Sequence, residues 1–256
     1  MVVRTRSAGG ASGQHFLRSS RLAADLVSDA EVAADELIVE IGGGTGVLTQ
    51  AILRAGAVVI AIERDPVLAA GLRKRFRDAE VVTGDAAAHA WPEAPFSVVA
   101  NLPFARSGAI LAHLLRDPGL PLRRAEVIVQ WEFAAKHAAV WPATLRSTYW
   151  RAWYEVSIVR RLDRTAFVPP PSVDAAVLRL TRRDRPRVPA DVHERYLAFL
   201  TGAFALRGPI RNGLRPMLSP LQVKRLAPVL GFRPDAGARD LDAEQWARLF
   251  AASRAQ

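Results

Sequence analysis

Residues 101–104 read N-L-P-F and close the apolar run FSVVA at 96–100. An asparagine carbonyl and the backbone carbonyls after it can accept hydrogen bonds from an exocyclic amine. Phe104 offers a face on which a base can stack, a contact contributing ~1–3 kcal/mol. Pro103 fixes φ and removes a donor, so the loop is stiff and rich in acceptors. The N6 amine of adenine is a poor nucleophile because its lone pair is delocalised into the ring. Two acceptors holding its hydrogens would favour a pyramidal nitrogen with an available lone pair. No strong general base is then needed, since orientation and polarisation carry the rate. By itself the tetrapeptide also fits a helix-capping asparagine followed by a proline and a core phenylalanine.

A second stretch, EIGGGTG at 40–46, has the spacing E-x-G-x-G-x-G. Gly42, Gly44 and Gly46 suit a tight turn after a strand, where a ligand approaches the backbone closely. The Gly-Lys-Ser/Thr ending of a P-loop is absent, which argues against a nucleoside triphosphate. Glu63, followed by Arg64 in AIERDP, ends the next apolar run and can accept from both hydroxyls of a ribose. Asp85, followed by Ala86 in TGDA, ends the one after and can accept from an adenine amino group. Acids at successive strand ends beside a glycine loop point to an adenosine held on the carboxyl edge of a sheet.

Positioning these residues needs strands whose ends coincide. The runs ELIVEI (36–41), AVVIAIE (57–63), AEVVTG (79–84), FSVVAN (96–101) and AEVIVQW (125–131) are predicted strands. Helical spacing over 19–29, 46–55, 66–77 and 105–116 interleaves with them. Such alternation predicts an α/β fold of the doubly wound class, a parallel sheet covered on both faces. YEVSIVRRL (154–162) and DAAVLRLTR (174–182) are expected to extend one edge as an antiparallel pair. DRPRVP (184–189) has the composition of a linker, and the remainder is helical. The expected organisation is a flexible segment 1–13, a catalytic domain 14–183 and a small all-helical C-terminal domain 184–256.

Half of the 256 residues are hydrophobic, enough for a sizeable core, and the formal net charge is +10. That surplus favours a polyanionic partner, nucleic acid first. There is no cysteine, which excludes disulfides, thiolate catalysis and Cys-ligated zinc, and five scattered histidines suggest no metal site. The N-terminus lacks the apolar core of a secretory signal. No apolar stretch approaches membrane-spanning length. A soluble, cytoplasmic protein is expected.

GQHFL (13–17), EIGGGTGVLT (40–49), AIERDP (61–66), TGDA (83–86), NLPF (101–104) and FVPPPSVDAAVL (167–178) occur in the order found in the rRNA adenine N6-methyltransferases, which the chain resembles over roughly 13–250. The resemblance implies an S-adenosyl-L-methionine-dependent enzyme with a Rossmann-like class I sheet, a helical C-terminal domain and no metal. It implies that Gln14 and His15 close over the cofactor near its methionine portion, with Asn common at the position of His15. It assigns Gly42, Gly44 and Gly46 to the glycine loop, Glu63 to the ribose and Asp85 to the adenine. Arg64 and Ala86, which flank these ligands, and Asn101 are counted with the cofactor contacts. Asn101 and the Leu102 carbonyl would accept from the target amine beside Pro103, with Phe104 as the stacking ring. Many relatives have Tyr there; Phe keeps the face and loses only the hydroxyl, so activity should survive.

Within the family, QWEFAAKHA (130–138), YWRAWYEV (149–156) and the compact C-terminal part look like the erythromycin-resistance branch, which methylates an adenosine in the peptidyl-transferase region of 23S rRNA. Resistance to macrolides, lincosamides and streptogramin B is then implied. The alternative branch comprises small-subunit 16S rRNA dimethyladenosine transferases. An RNA-binding assembly factor without catalysis, a DNA adenine methyltransferase and a dehydrogenase are weaker rivals. The target adenosine must be extruded over NLPF. Arg106, Arg123, Arg124, Arg160, Arg161 and Arg164 are candidate phosphate contacts, while the aromatic cluster 149–154 is expected in the core. Action as a monomer is expected.

Overall fold

Apolar runs that do not alternate with polar residues are satisfied only when both faces of a sheet are covered. The structure, a computed structural model, meets that demand with one seven-stranded sheet. It describes residues 14–205, 208–215 and 217–254; the segment 1–13, expected to be flexible, lies outside them. In chain order the first part runs β1 (Phe16–Leu17), α1 (Ser20–Asp29), β2 (Leu37–Ile41), α2 (Val47–Arg54), β3 (Val58–Glu63), α3 (Pro66–Arg75), β4 (Ala79–Thr83), β5 (Phe96–Asn101) and α4 (Ser107–Leu114). There follow β6 (Leu122–Gln130), α5 (Trp131–Ala138), α6 (Leu145–Trp150), β7 (Tyr154–Leu162), β8 (Phe167–Val168) and β9 (Ala175–Arg182). The last helices are α7 (His193–Ala205), α8 (Ile210–Gly213), α9 (Pro220–Leu230) and α10 (Ala243–Arg254).

The sheet order is β4-β3-β2-β5-β6-β9-β7. The first five strands are parallel, and β9 lies antiparallel between β6 and β7. The order reverses between β2 and β5, and the crevice outside the carboxyl ends at such a reversal is where α/β sheets bind ligands. Ile41, Glu63, Thr83 and Asn101 end their strands at that edge. Local signals agree with the packing: Ser19 caps α1 by accepting from the Leu22 N–H, and Asp65 caps α3 ahead of Pro66.

Two apolar layers sandwich the sheet. On one face Leu26 and Val27 of α1 and Leu48 and Ile52 of α2 pack on Val59 and Val99. On the other, Leu111 of α4, Ala134 of α5 and Trp150 of α6 join Val98 and Val127. That second layer continues past residues 184–189 into the C-terminal helices. Tyr149 and Trp153 meet Tyr196 at 6.3 and 5.8 Å between ring centroids, and Tyr196 meets Phe250 at 5.1 Å. The aromatic run 149–154 is therefore core, with Tyr149, Trp150, Trp153 and Tyr154 all buried.

Four elements have no counterpart in the sequence-based expectation. Trp131, expected at the end of a strand, begins α5, and α6 follows it. The two-residue strands β1 and β8 form a separate ribbon, Phe16 opposite Val168 and Leu17 opposite Phe167. That ribbon brings GQHFL and FVPPPS, distant in sequence, to one place.

Candidate active site

The turn after β2 takes its shape from three glycines with left-handed φ: Gly42 at 77°, Gly44 at 53° and Gly46 at 79°. They do different work. A Cβ at Gly42 would lie 3.4 Å from the Asn101 carbonyl, so a side chain there would fill the crevice. A Cβ at Gly46 would lie 2.3 Å from the Phe76 ring, because α2 starts hard against that residue. Gly46 lines neither cavity at the sheet edge. Its close neighbour is Phe76, against which it lets α2 pack. Glu63, almost fully buried, holds the loop, one carboxylate oxygen accepting the Gly44 N–H at 2.9 Å and the other the Asp65 N–H at 2.8 Å.

A cleft of about 460 Å³ opens beside the loop, lined by Gln14, Gly42, Glu63, Arg64, Asp85, Ala86, Pro103 and Arg106 among others. A smaller cavity shares Gln14, Gly42, Glu63 and Pro103 with it and adds His15, Gly44, Asn101, Leu102 and Phe104. Apart from Gly46, the expected cofactor and target residues are thus gathered at one edge. Sequence reasoning missed Asp65, Ile110 and Arg106 as lining of the larger cleft. The Ala87 N–H, donated to Asp85 Oδ1 at 3.0 Å, and the neighbouring Arg106 guanidinium hold the Asp85 carboxyl below the usual range. Arg106, expected to contact RNA phosphate, is ion-paired with Asp85 inside this cleft.

The NLPF loop is organised around Asn101, the last residue of β5. Its Nδ2 donates to the His15 carbonyl at 2.7 Å, and its Oδ1 is buried with no partner among the described residues. Asn101 caps no helix: Pro103 precedes the 3-10 turn Phe104–Arg106, and Arg106 precedes α4. The Pro103 carbonyl accepts the Arg106 N–H at 2.8 Å and the Ser107 hydroxyl at 3.2 Å. The Leu102 carbonyl accepts from none of the described residues, while its N–H donates to Ile128 at 3.1 Å. One side-chain and one backbone acceptor are left over. Phe104 is half-buried, edge-on to Phe167 with centroids 6.1 Å apart and tilted against the His15 ring at 5.4 Å. His15 Nδ1 lies 2.8 Å from the Pro169 carbonyl, which can only accept, so Nδ1 carries the hydrogen.

The remaining expected RNA contacts divide. Arg123 and Arg124 sit at the amino end of β6, opposite the site, and Arg124 is bonded to Glu36 at 2.7 Å. Their distance from the carboxyl edge removes both from a target-side surface. Arg160, Arg161 and Arg164 lie at the correct end. Arg160 is ion-paired with Asp29 and Arg161 with Asp174, whereas Arg164 is exposed and has no carboxylate partner among the described residues. No cluster of metal-ligating side chains occurs among the described residues.

Glu40, the acid that opens the glycine motif, is buried in β2 with one carboxyl oxygen unpartnered among the described residues. Burial pushes its carboxyl up to about 8; neighbouring Thr49 pulls the other way and the charge of Glu63 adds to the rise.

The profile of one family, described as "Ribosomal RNA adenine dimethylase", matches residues 9–254. An rRNA adenine N-6-methyltransferase of Bacillus licheniformis is 28% identical over 247 residues, covering 93% of this chain and 85% of the relative. A ribosomal RNA small subunit methyltransferase A of Gloeobacter violaceus is 34% identical over 247 residues, covering 93% and 90%. The crystal structure of the 23S rRNA methyltransferase ErmE superposes with a TM-score of 0.79 at 28% identity, covering 93% of this chain and 99% of that one.

Proposed function

The chain belongs to the ribosomal RNA adenine dimethylase family, and from that premise we propose that its target is one adenosine of the peptidyl-transferase loop of 23S rRNA. It is an S-adenosylmethionine-dependent rRNA adenine-N6-methyltransferase. The finer reading adds that methylation there obstructs macrolides, lincosamides and streptogramin B. Likeness to ErmE over nearly the whole of that structure supports the 23S target. Identity of 34% to a small-subunit enzyme supports the competing 16S target.

The residues present fit the methyl donor. Gly42 leaves open the space that a Cβ would fill beside Asn101, and the cleft of about 460 Å³ carries acids where an adenosine offers donors. Gln14, His15, Gly42, Gly44, Glu63, Arg64, Asp85 and Ala86 would hold it. When bound, S-adenosylmethionine supplies an electrophilic methyl group on a sulfonium. We assign 14–183 to this chemistry and 184–256 to a helical unit built against it, working as a monomer.

On the protein's side, catalysis is positioning. Phe104 gives the extruded adenine a face, contributing ~1–3 kcal/mol toward the few kcal/mol of extrusion. Asn101 Oδ1 and the Leu102 carbonyl take the two hydrogens of N6, which aims the nitrogen lone pair away from them. The observation that carries this reading is the buried, unpartnered Oδ1 of Asn101 beside an unengaged carbonyl. A buried acceptor left bare costs ~1–3 kcal/mol until a donor reaches it. His15 fixes Asn101 through its carbonyl, so the amide cannot turn its NH2 group toward the substrate without losing that bond.

The test offers the purified protein labelled S-adenosylmethionine with protein-free 23S and 16S rRNA, then maps the methylated adenosine by mass spectrometry. Label at one adenosine of the 23S peptidyl-transferase loop is expected, and the mass distinguishes one methyl group from two. Label near the 3′ end of 16S rRNA, or on small-subunit particles only, would transfer the protein to the other branch. Expression in a susceptible host should raise the inhibitory concentration of a macrolide.

A further inference from the structure

Asp174, the aspartate of the P-S-V-D motif, has no part in the roles above. Its carbonyl accepts the Trp131 N–H at 2.9 Å, and its Oδ2 accepts from Arg161 Nε at 3.2 Å and Nη2 at 2.7 Å. The centre of the same guanidinium lies 4.7 Å from the Trp131 ring centroid. One edge and one face of Arg161 are thus held, yet its side chain remains 62% exposed.

Strand register places this assembly at the edge that carries NLPF. Arg161 precedes Leu162, which is opposite Ala175, itself opposite Gln130, the residue before Trp131. From β5 to β7 is three strand spacings, roughly 14 Å, beyond reach of the target base itself. α4 and α5 come together between them, since a Cβ at Gly108 of α4 would touch Phe133 of α5 at 3.7 Å.

Resting on the RNA substrate just proposed, we infer that Arg161 is a stacking shelf for an unpaired base neighbouring the target adenosine. As a phosphate ligand it is poorly equipped. Asp174 offsets its charge, and the Nε–Nη2 edge that would grip a phosphate is occupied. As a plane it is well prepared: indole and carboxylate fix its orientation, so little rotamer freedom is left to lose on binding. Unstacked bases of RNA loops are commonly taken up on guanidinium planes. The P-S-V-D aspartate and the tryptophan opening α5 then share one purpose.

The experiment uses the full chain and a hairpin RNA copying the 23S peptidyl-transferase loop, with 2-aminopurine placed at successive positions flanking the target. Wild type should quench the probe at one flanking position. Arg161→Lys, which keeps the charge and loses the plane, should abolish that quench and weaken binding about tenfold, with the salt dependence and S-adenosylmethionine affinity unchanged. Wild-type quench and affinity in Arg161→Lys would overturn the shelf. So would an Arg161→Ala protein whose salt slope falls by about 0.7–0.9 and is restored by lysine, the mark of a phosphate contact. Trp131→Leu should reproduce the lysine variant; if it does not fold, Arg161→Lys decides alone. Because the readout is binding, RNA that is bound but not methylated refutes the 23S target and leaves the shelf standing. If wild type ignores this hairpin, the same scan on the 16S 3′-end hairpin decides, and silence on both overturns both.

Discussion

The Asp85 carboxylate and the Arg106 guanidinium are ion-paired across the cleft, tying the loop after β4 to the turn behind Phe104. Asp85 is the residue assigned to the adenine amine of the methyl donor, so Arg106 competes for the same oxygens. Both side chains are about one-third exposed, which makes the pair weak and readily exchanged.

Asp85→Ala should therefore weaken S-adenosylmethionine binding about tenfold, the loss of one hydrogen bond to a charged acceptor. Arg106→Ala should leave that affinity equal or tighter, and should leave the salt slope of RNA binding unchanged. Calorimetry with the donor and titration with RNA at several ionic strengths measure both. A slope lower by one phosphate contact in Arg106→Ala would return Arg106 to the RNA surface.

Asn101→Ala should lower the rate of methyl transfer by about 10²–10³, the effect of deleting one preorganised polar contact at a reacting centre. Affinity for RNA and for the donor should change little, because neither depends mainly on Oδ1. Single-turnover kinetics with both affinities measured on the same preparation test this. Unchanged turnover would sink the role given to NLPF.

The parallel strands and their ends were legible because buried strands announce themselves as unbroken apolar runs, with Glu63 and Asn101 each closing one and Asp85 just beyond the end of another. Pairings that depend on distant segments were not. The two-residue β1 and β8 are too short for any periodicity, so nothing local showed that His15 would hold Asn101. Charge alone does not place the arginines: a sequence gives their sign, whereas Asp85, Glu36 and Asp29 pair with three of them only in the fold. Gly46 looked like its neighbours in the motif, and only the Phe76 ring against it separates a packing glycine from a binding one.

That distinction predicts opposite phenotypes for the same substitution. Gly46→Ala meets Phe76 at 2.3 Å and should cost several kcal/mol, seen as a lowered Tm. Gly42→Ala adds ~1–2 kcal/mol of left-handed strain and places its methyl group in the crevice. It should fold, with a small fall in Tm, and lose S-adenosylmethionine affinity. Equal Tm losses in both variants would refute the division of labour.

Two buried titrating groups give stability opposite pH trends. His137 lies between the rings of Phe133 and Trp150, with centroids 4.4 and 4.8 Å away. Burial, reinforced by Lys136 and Arg146, pushes it down from 6.5 to about 4. Its neutral form contributes stability above pH 6.5 that is lost as pH falls toward 4, at about 1.4 kcal/mol per unit. Denaturant unfolding of His137→Phe should lack that acid-side loss.

Glu40 has the reverse sign. Burial raises it from 4.5 to about 8, so between these values the native state binds a proton that the unfolded chain has released. Stability then falls as pH rises through that window, by about 1.4 kcal/mol per unit and up to ~5 kcal/mol in all. Between 4.5 and 6.5 this fall opposes the rise from His137. The contribution of these two groups should therefore be nearly flat there and fall from 6.5 to 8. Glu40→Gln keeps the neutral shape, so its stability should rise to pH 6.5 and then hold level. Urea midpoints for both proteins at pH 5, 6.5 and 8.5 decide the matter. Parallel curves above pH 6.5 would mean that Glu40 ionises in the folded protein, by drawing on a partner other than Thr49.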